Sequence, residues 1–294
     1  MTRPVLTLVA ERRLTDLVAP PAGGGVLEAS GVLAKDGHYY VVFDNIRRIA
    51  KLDPGLEPGS PENGWFGQRW QGDGYEDIDF SPHARRFYLL IEAEKHPDGT
   101  YQALIDECDE DGHHEERRWV DVVFARRNRG FEGLVAVRRE EQNYLLALCE
   151  GNSGGAGRKG RRPGRGRIHV LQEAGAVWKS VATIALPPSV KFEDYSSMSL
   201  RGTRLAVISQ KTSRLWVGTL RFRDWTVAGR GQLYDFPRSK KGRTKYCTLE
   251  GVCWLTARTF VAVSDLSKGD YAKRCRKRDQ SIHVFRLPAP SGGM

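Results

Sequence analysis

Apolar and polar positions in this chain alternate in short bursts, and no stretch carries a convincing helical period. Five segments share one template: a small or acidic residue, a short apolar strand, a turn, and a second, strongly apolar strand ending in polar residues. Their heads are Ser30, Glu76, Glu132, Ser196 and Glu250, and their second strands read YYVVFDN, FYLLIEAEK, YLLALCEGN, RLAVISQK and FVAVSDLSK. The heads lie 46, 56, 64 and 54 positions apart, which is the period of a four-stranded propeller blade with some long loops. Third and fourth strands follow the first four pairs: RRIAKLD with Trp65-Phe66, YQALIDE with RRWVDVVFA, RIHVLQE with VWKSVATIAL, and RLWVGTLRF with GQLYDF. Runs of Val, Ile, Leu, Tyr and Trp bounded by Gly, Pro and Asp are strand signals.

The fifth repeat supplies only three strands, ending at SIHVFRLP, whereas a spare strand, VLTLVAERRL, precedes the first. Pairing residues 4–14 with the last blade would close the ring and remove its free edge. The pattern therefore predicts an all-β fold: a single β-propeller over residues 1–294, with five blades of four antiparallel strands closed by the N-terminal strand. A short tail follows at 288–294. The alternative is six blades, with a degenerate one in 96–130 or 151–190.

This topology gathers polar residues at one end of the channel. A blade's innermost strand starts at one face and its second strand returns there, so the five heads ring the axis beside Glu28, Asp77 and Asp194. Just outside lie Asp44, Asn45, Arg47 and Arg48; Glu92, Glu94 and Lys95; Glu150 and Asn152; Gln210, Lys211 and Ser213; and Asp265, Ser267 and Lys268. Three glutamates facing one narrow axis must be protonated, paired, hydrated or neutralised by a cation. Oxygen ligands on a wide ring suit Ca²⁺. The alternative is that these heads hydrogen-bond the backbone of the neighbouring blade.

Composition changes the picture in three places. Hydrophobic residues make up 40% of the 294 and charged ones 28%, enough for a sizeable core. No apolar run approaches the ~20 residues of a membrane span, and Val5 to Ala10 is too short for a signal-peptide core, so a cytoplasmic protein with no membrane partner is expected. Five cysteines, odd in number and without a C-x-x-C pair, argue against a zinc site or disulfide framework, and Cys149 and Cys253, inside strands, read as ordinary core residues. The formal charge of +10 is concentrated in three loops, 156–167, 238–245 and 268–278, which hold 17 Lys and Arg against one acid and leave the remainder at −6. They belong to three stretches expected to be flexible, 152–167, 237–246 and 267–279. On one rim they would attract an anionic substrate, an acidic protein or nucleic acid.

Two local motifs are set aside. Gly151 to Gly155 matches G-x-S-x-G but is followed by a Gly/Arg loop instead of a helix. The run DECDEDGHHEE lacks the twelfth-position glutamate of a calcium loop and reads as a hairpin turn.

At the strand heads the sequence resembles the calcium-dependent apyrases, five-bladed propellers that hydrolyse nucleotides at one end of the channel. The order Ser, Glu, Glu, Ser, Glu is similar to that family's calcium ring, and ASGVLAKDGHYYVVFDN to its first-blade signature. More distantly the pattern resembles phytase-like propellers. The resemblance implies Ser30, Glu76, Glu132, Ser196 and Glu250 as metal ligands and Asp44 as a residue near the nucleotide. The expected function is Ca²⁺-dependent hydrolysis of a phosphorylated or anionic small molecule. Asp44 or Asp265 would act as general base, and Arg47, Arg48, Lys95, Asn152, Lys211 and Lys268 would contact substrate. A non-catalytic scaffold with a basic rim, and a propeller enzyme of lactonase or cyclase type, are the alternatives.

Overall fold

Strand pairing follows the sequence repeat blade by blade. In the computed structural model, which describes residues 3–21, 25–68, 74–127, 129–152, 163–267, 269 and 271–289, twenty strands form five antiparallel groups of four. Blade one holds β2 (Ala29–Lys35), β3 (His38–Phe43), β4 (Ile49–Leu52) and β5 (Gly64–Phe66). Blade two holds β6 (Asp77–Ser81), β7 (Arg86–Lys95), β8 (Tyr101–Cys108) and β9 (His114–Phe124). Blade three is β10 (Phe131–Arg139), β11 (Gln142–Cys149), β12 (Arg167–Ala174) and β13 (Val177–Ala185). Blade four is β14 (Ser197–Arg201), β15 (Arg204–Ser209), β16 (Arg214–Arg221) and β17 (Thr226–Asp235). Blade five combines β18 (Leu249–Trp254), β19 (Thr259–Ser264) and β20 (Ser281–Arg286) with β1 (Thr7–Arg13). The innermost strands β2, β6, β10, β14 and β18 touch in that cyclic order and close on β2. The segments proposed for a sixth blade supply outer strands of blades two and three instead.

Closure by the N-terminal strand occurs as the pattern predicts, with β1 antiparallel to β20 from Thr7↔Arg286 to Arg13↔Ser281. A buried polar row fastens it: His283 hydrogen-bonds Ser264 at 2.8 Å through Nε2 and Glu11 at 2.9 Å through Nδ1. Serine, histidine and carboxylate stand in the order of a hydrolytic triad. Ser264 and His283 are, however, fully buried within the sheet, and burial pushes His283 down to about 3. The row joins three strands of one blade.

Side chains between sheets form the core. Trp178 and Trp216 are fully buried, and the Trp178 Nε1–H donates to Glu107 at 3.1 Å across the boundary of blades two and three. Those two blades also meet at their outer strands, where β13 pairs in parallel with β9 over Val177↔Trp119 and Trp178↔Val120. The acidic run around Asp109 forms the β8–β9 hairpin turn, as expected.

The cysteine expectation is corrected. Cys108, Cys149 and Cys253 are buried thiols, but Cys247 and Cys275 form a disulfide. Their 28-residue separation carries no motif; blade five brings the loop entering β18 against the loop between β19 and β20. The bond thus fixes the chain just after the basic segment 238–245 to Cys275 within the segment 268–278, and Arg274 adds a 2.8 Å bond to the Thr244 carbonyl. Replacing both cysteines by serine should lower unfolding free energy by about 2–4 kcal/mol, read as a lower urea midpoint than that of the oxidised parent.

Candidate functional site

The strand heads divide into two kinds. At Ser30, Glu132 and Glu250 the pairing register of the inner strand shifts, so each head is the extra residue of a β-bulge, a device that re-aims a side chain. Glu76 and Ser196 stand immediately before β6 and β14, each bonded through its N–H to the second strand. The serine hydroxyls then turn to the next blade: Ser30 Oγ donates to the Tyr75 carbonyl at 2.5 Å, and Ser196 Oγ to the Leu249 carbonyl at 2.9 Å. They clamp blades together and stand outside the mouth cavities. Of the five expected ligands, Glu76, Glu132 and Glu250 line the mouth.

The residue after each head explains why the channel is blocked. In order these are Gly31, Asp77, Gly133, Ser197 and Gly251. A Cβ at Gly31 would stand 2.7 Å from the Asp77 Cα, and one at Gly251 would stand 2.9 Å from the Gly31 Cα. Glycine in three blades lets the inner strands approach, and the side chains of the other two fill the axis. Asp77 accepts from the Ile78 and Leu134 N–H groups at 2.9 Å and faces Ser197 Oγ at 3.4 Å, while Ser197 accepts from the Val252 N–H at 3.2 Å. This bar crosses between non-neighbouring blades. The cavities above and below it share no lining residue.

Above the bar the mouth is acidic. One cavity of about 310 Å³ is lined by Asp44, Glu76, Glu92, Glu132, Glu250 and Asp265, together with Gln210, Thr248, Leu266 and Tyr271. A second, of about 280 Å³, shares Asp44, Glu76 and Glu92 with it and adds Glu94 and Arg127. Carboxylate oxygens of Glu28, Asp44 and Asp265 lie within 4.8 Å of one another. Asp265 is oriented by the Leu266 N–H at 2.5 Å, and Gln210 donates to Glu250 at 2.5 Å. Burial, followed by repulsion from Glu92, Asp44 and Asp265, holds the Glu76 carboxyl well above its ordinary range. Burial and repulsion from Glu76, Glu150 and Glu92 do the same to Glu132. Glu92 is pushed up to about 7, chiefly by burial and then by Glu150, against the pull of Arg129 and Arg127.

Most of the expected substrate contacts lie elsewhere. The Arg47 guanidinium is buried 5.8 Å from the Tyr75 ring centre, and that of Arg48 lies 4.5 Å from Trp65. Lys95 is exposed at the end of β7, and Lys211 gives its backbone N–H to Asp194 at 3.1 Å. Asn152 is fully buried, donating to the Phe192 carbonyl at 3.1 Å and accepting from the Arg165 N–H and the Tyr195 hydroxyl, each at 2.9 Å. None of these five lines either cavity. Lys268 and residues 153–162 of the first basic loop lie outside the described residues. Lys240, Lys241, Arg243, Lys273, Arg276 and Lys277 are exposed on the disulfide-joined lobe beside Thr248 and Tyr271. Arg127, Thr248 and Tyr271 carry no pattern in the sequence; Glu92 and Glu94 carried one, as polar ends of a second strand.

Fold and mouth together define a closed β-propeller with a carboxylate-lined channel end. No protein-family model matches the sequence, and no curated protein does. Among solved structures the chain is similar to glutaminyl cyclase from Myxococcus xanthus, at 11% identity and TM-score 0.54 over 97% of each chain. It is also similar to α-L-arabinofuranosidase from Lactobacillus brevis, at 12% identity and TM-score 0.51 over 92% of this chain and 93% of that one. These likenesses establish the propeller fold. They give no support to the likeness to apyrases, which rests on the strand heads and the first-blade segment alone. No helix among the described residues is long and apolar enough to cross a membrane.

Raised carboxyls make stability pH-dependent. A group whose pKa rises on folding binds its proton more tightly when folded, so its contribution is complete at low pH and is lost as pH rises through the folded value. For Glu92 the loss falls between about 4.5 and about 7, with a slope of at most about 1.4 kcal/mol per pH unit. Urea unfolding across that range should show the decline, and Glu92→Gln should make it shallower, leaving the part due to Glu76, Glu132 and Asp79.

Proposed function

We propose that the mouth binds a divalent cation, calcium by the chemistry of its donors, and that the loaded site hydrolyses a small anionic molecule. The observation that carries this reading is the crowding of Asp44, Glu76, Glu92, Glu132, Glu250 and Asp265 around contiguous cavities. Arg127 is the one cation lining either cavity among the described residues. The group fits the residues present: every donor is oxygen, Glu76, Glu132 and Glu250 line one cavity, and glutamates crowded together gain by sharing a cation. Glu76, Glu132 and Glu250 would hold it. When bound it would polarise a phosphoryl or acyl oxygen and lower the pKa of water.

The chain's own residues supply the rest. Asp44 lines both cavities and is placed to accept a proton from attacking water. Asp265, held by the Leu266 amide, provides fixed negative charge beside it. Glu92, titrating at about 7, is suited to return a proton to the leaving group. Arg127 stands at the wall where a substrate anion would enter.

Calcium at about a hundred times its Kd adds about 2.7 kcal/mol to the folded state, so the parent should melt several degrees higher with calcium than with chelator. Glu132→Gln and Glu250→Gln should each abolish that difference together with hydrolysis of phosphate monoesters or anhydrides. Identical melting of the parent with and without calcium would overturn the metal reading.

The absence of Arg47, Arg48 and Lys211 from the cavity walls favours a second reading, in which the mouth performs carboxyl-mediated proton transfer on a neutral or amine-bearing substrate, as a cyclase or lactonase would require. Turnover of a γ-lactone or an N-terminal glutamine peptide without divalent cation, lost in Glu92→Gln, would select it.

A further inference from the structure

Below the axial bar lies a cavity of about 610 Å³, at the channel end opposite the acidic mouth. Its wall is drawn from all five inner strands, one side chain each from Val32, Ile78, Leu134, Met198 and Val252. Cavities of 300–1,000 Å³ with apolar walls and a few polar groups are the usual form of small-molecule sites.

Its polar groups are unevenly matched. The third residues after the heads, Leu33, Asp79, Val135, Ser199 and Cys253, all line this cavity. Three of them accept a backbone N–H from the next blade: Asp79 from Ala136 at 2.7 Å, Ser199 from Trp254 at 3.1 Å and Cys253 from Ala34 at 3.3 Å. Serine and a thiol perform that task without charge, so the bond does not require the carboxylate at Asp79. The other acids lining the cavity are already neutralised: Asp36 is ion-paired with Lys35, and Glu110 receives the Arg85 Nε–H at 2.7 Å. Lys35 itself sits 4.4 Å from the centre of the Phe80 ring. Asp79 is the lining acid with no cation against it among the described contacts, in a cavity that Arg201, Phe80, Met198, Val252 and Trp254 also line.

We propose that this cavity is a second ligand site, separate from the mouth, and that it takes an organic ammonium ion with an apolar body, the amine on Asp79 and the body against Met198, Val252 and Trp254. Repulsion does not explain the carboxyl's environment: burial alone, opposed by the Ala136 and Phe80 amides, raises Asp79 to about 7, and an ammonium partner would return it to the ionised form.

The methionines make the test direct. Of three in the chain, Met1 and Met294 are the first and last residues and Met198 lines the cavity. With methyl-labelled methionine, the Met198 resonance, assigned through Met198→Leu, should move on titration with 2-phenylethylamine and stay unmoved by phenylacetate. Asp79→Ser, which copies the Ser199 arrangement of blade four, should keep the melting temperature near the parent's and weaken amine binding at least tenfold. Glu132→Gln should leave the titration unchanged, separating this site from the mouth. A Met198 signal that ignores the amine, moves equally for phenylacetate, or responds as before in Asp79→Ser would overturn the proposal.

Discussion

Five innermost strands meet side by side around the axis without the continuous hydrogen-bond ladder that joins strands within a blade. Each would leave backbone groups facing the channel, and a buried N–H or C=O without a partner costs about 1–3 kcal/mol. The molecule meets this demand with short side chains handed from one blade to the next. Ser30 and Ser196 donate to carbonyls of the following blade, whereas Asp77, Asp79, Ser197, Ser199 and Cys253 accept its amides. The glycines at 31, 133 and 251 allow the approach that makes those bonds short. Ring closure, the axial bar and both channel-end cavities depend on this one set of contacts.

The same demand explains why a polar axis holds two unlike chemistries. At the mouth, carboxylates exceed what the backbone can absorb, and Glu76, Glu132 and Glu92 are left crowding one another. Below the bar most acids are already paired, and apolar side chains such as Val252, Met198 and Trp254 share the wall with them. Asp77 separates the two environments, and its own carboxyl is raised by burial despite the amides that hold it.

The blade repeat was legible because strand pairs impose period-two patterning and turn residues at fixed places, and the missing strand of blade five pointed to β1. The site was legible only in part. Glu76, Glu132 and Glu250 were found because the repeat aligned them, but the same alignment included Ser30 and Ser196, whose hydroxyls serve the backbone. Sequence position could not tell that Arg47 and Arg48 lie against aromatic rings, or that Asn152 is buried among carbonyls, because those partners come from other segments. The Cys247–Cys275 pair was hidden for the same reason: its proximity is a product of blade five and not of spacing.

Closure by β1 also bears on how the ring is made. Thr7 pairs with Arg286 and Arg13 with Ser281, so partners some 270 residues apart must meet before the last blade has its fourth strand. During synthesis β1 waits unpaired while four blades are assembled, presenting an apolar edge able to capture a foreign strand. The consecutive Glu11, Arg12 and Arg13 at the end of that strand place charge on the waiting edge. The feature that seals the finished molecule is therefore also the one most in need of protection while it is incomplete.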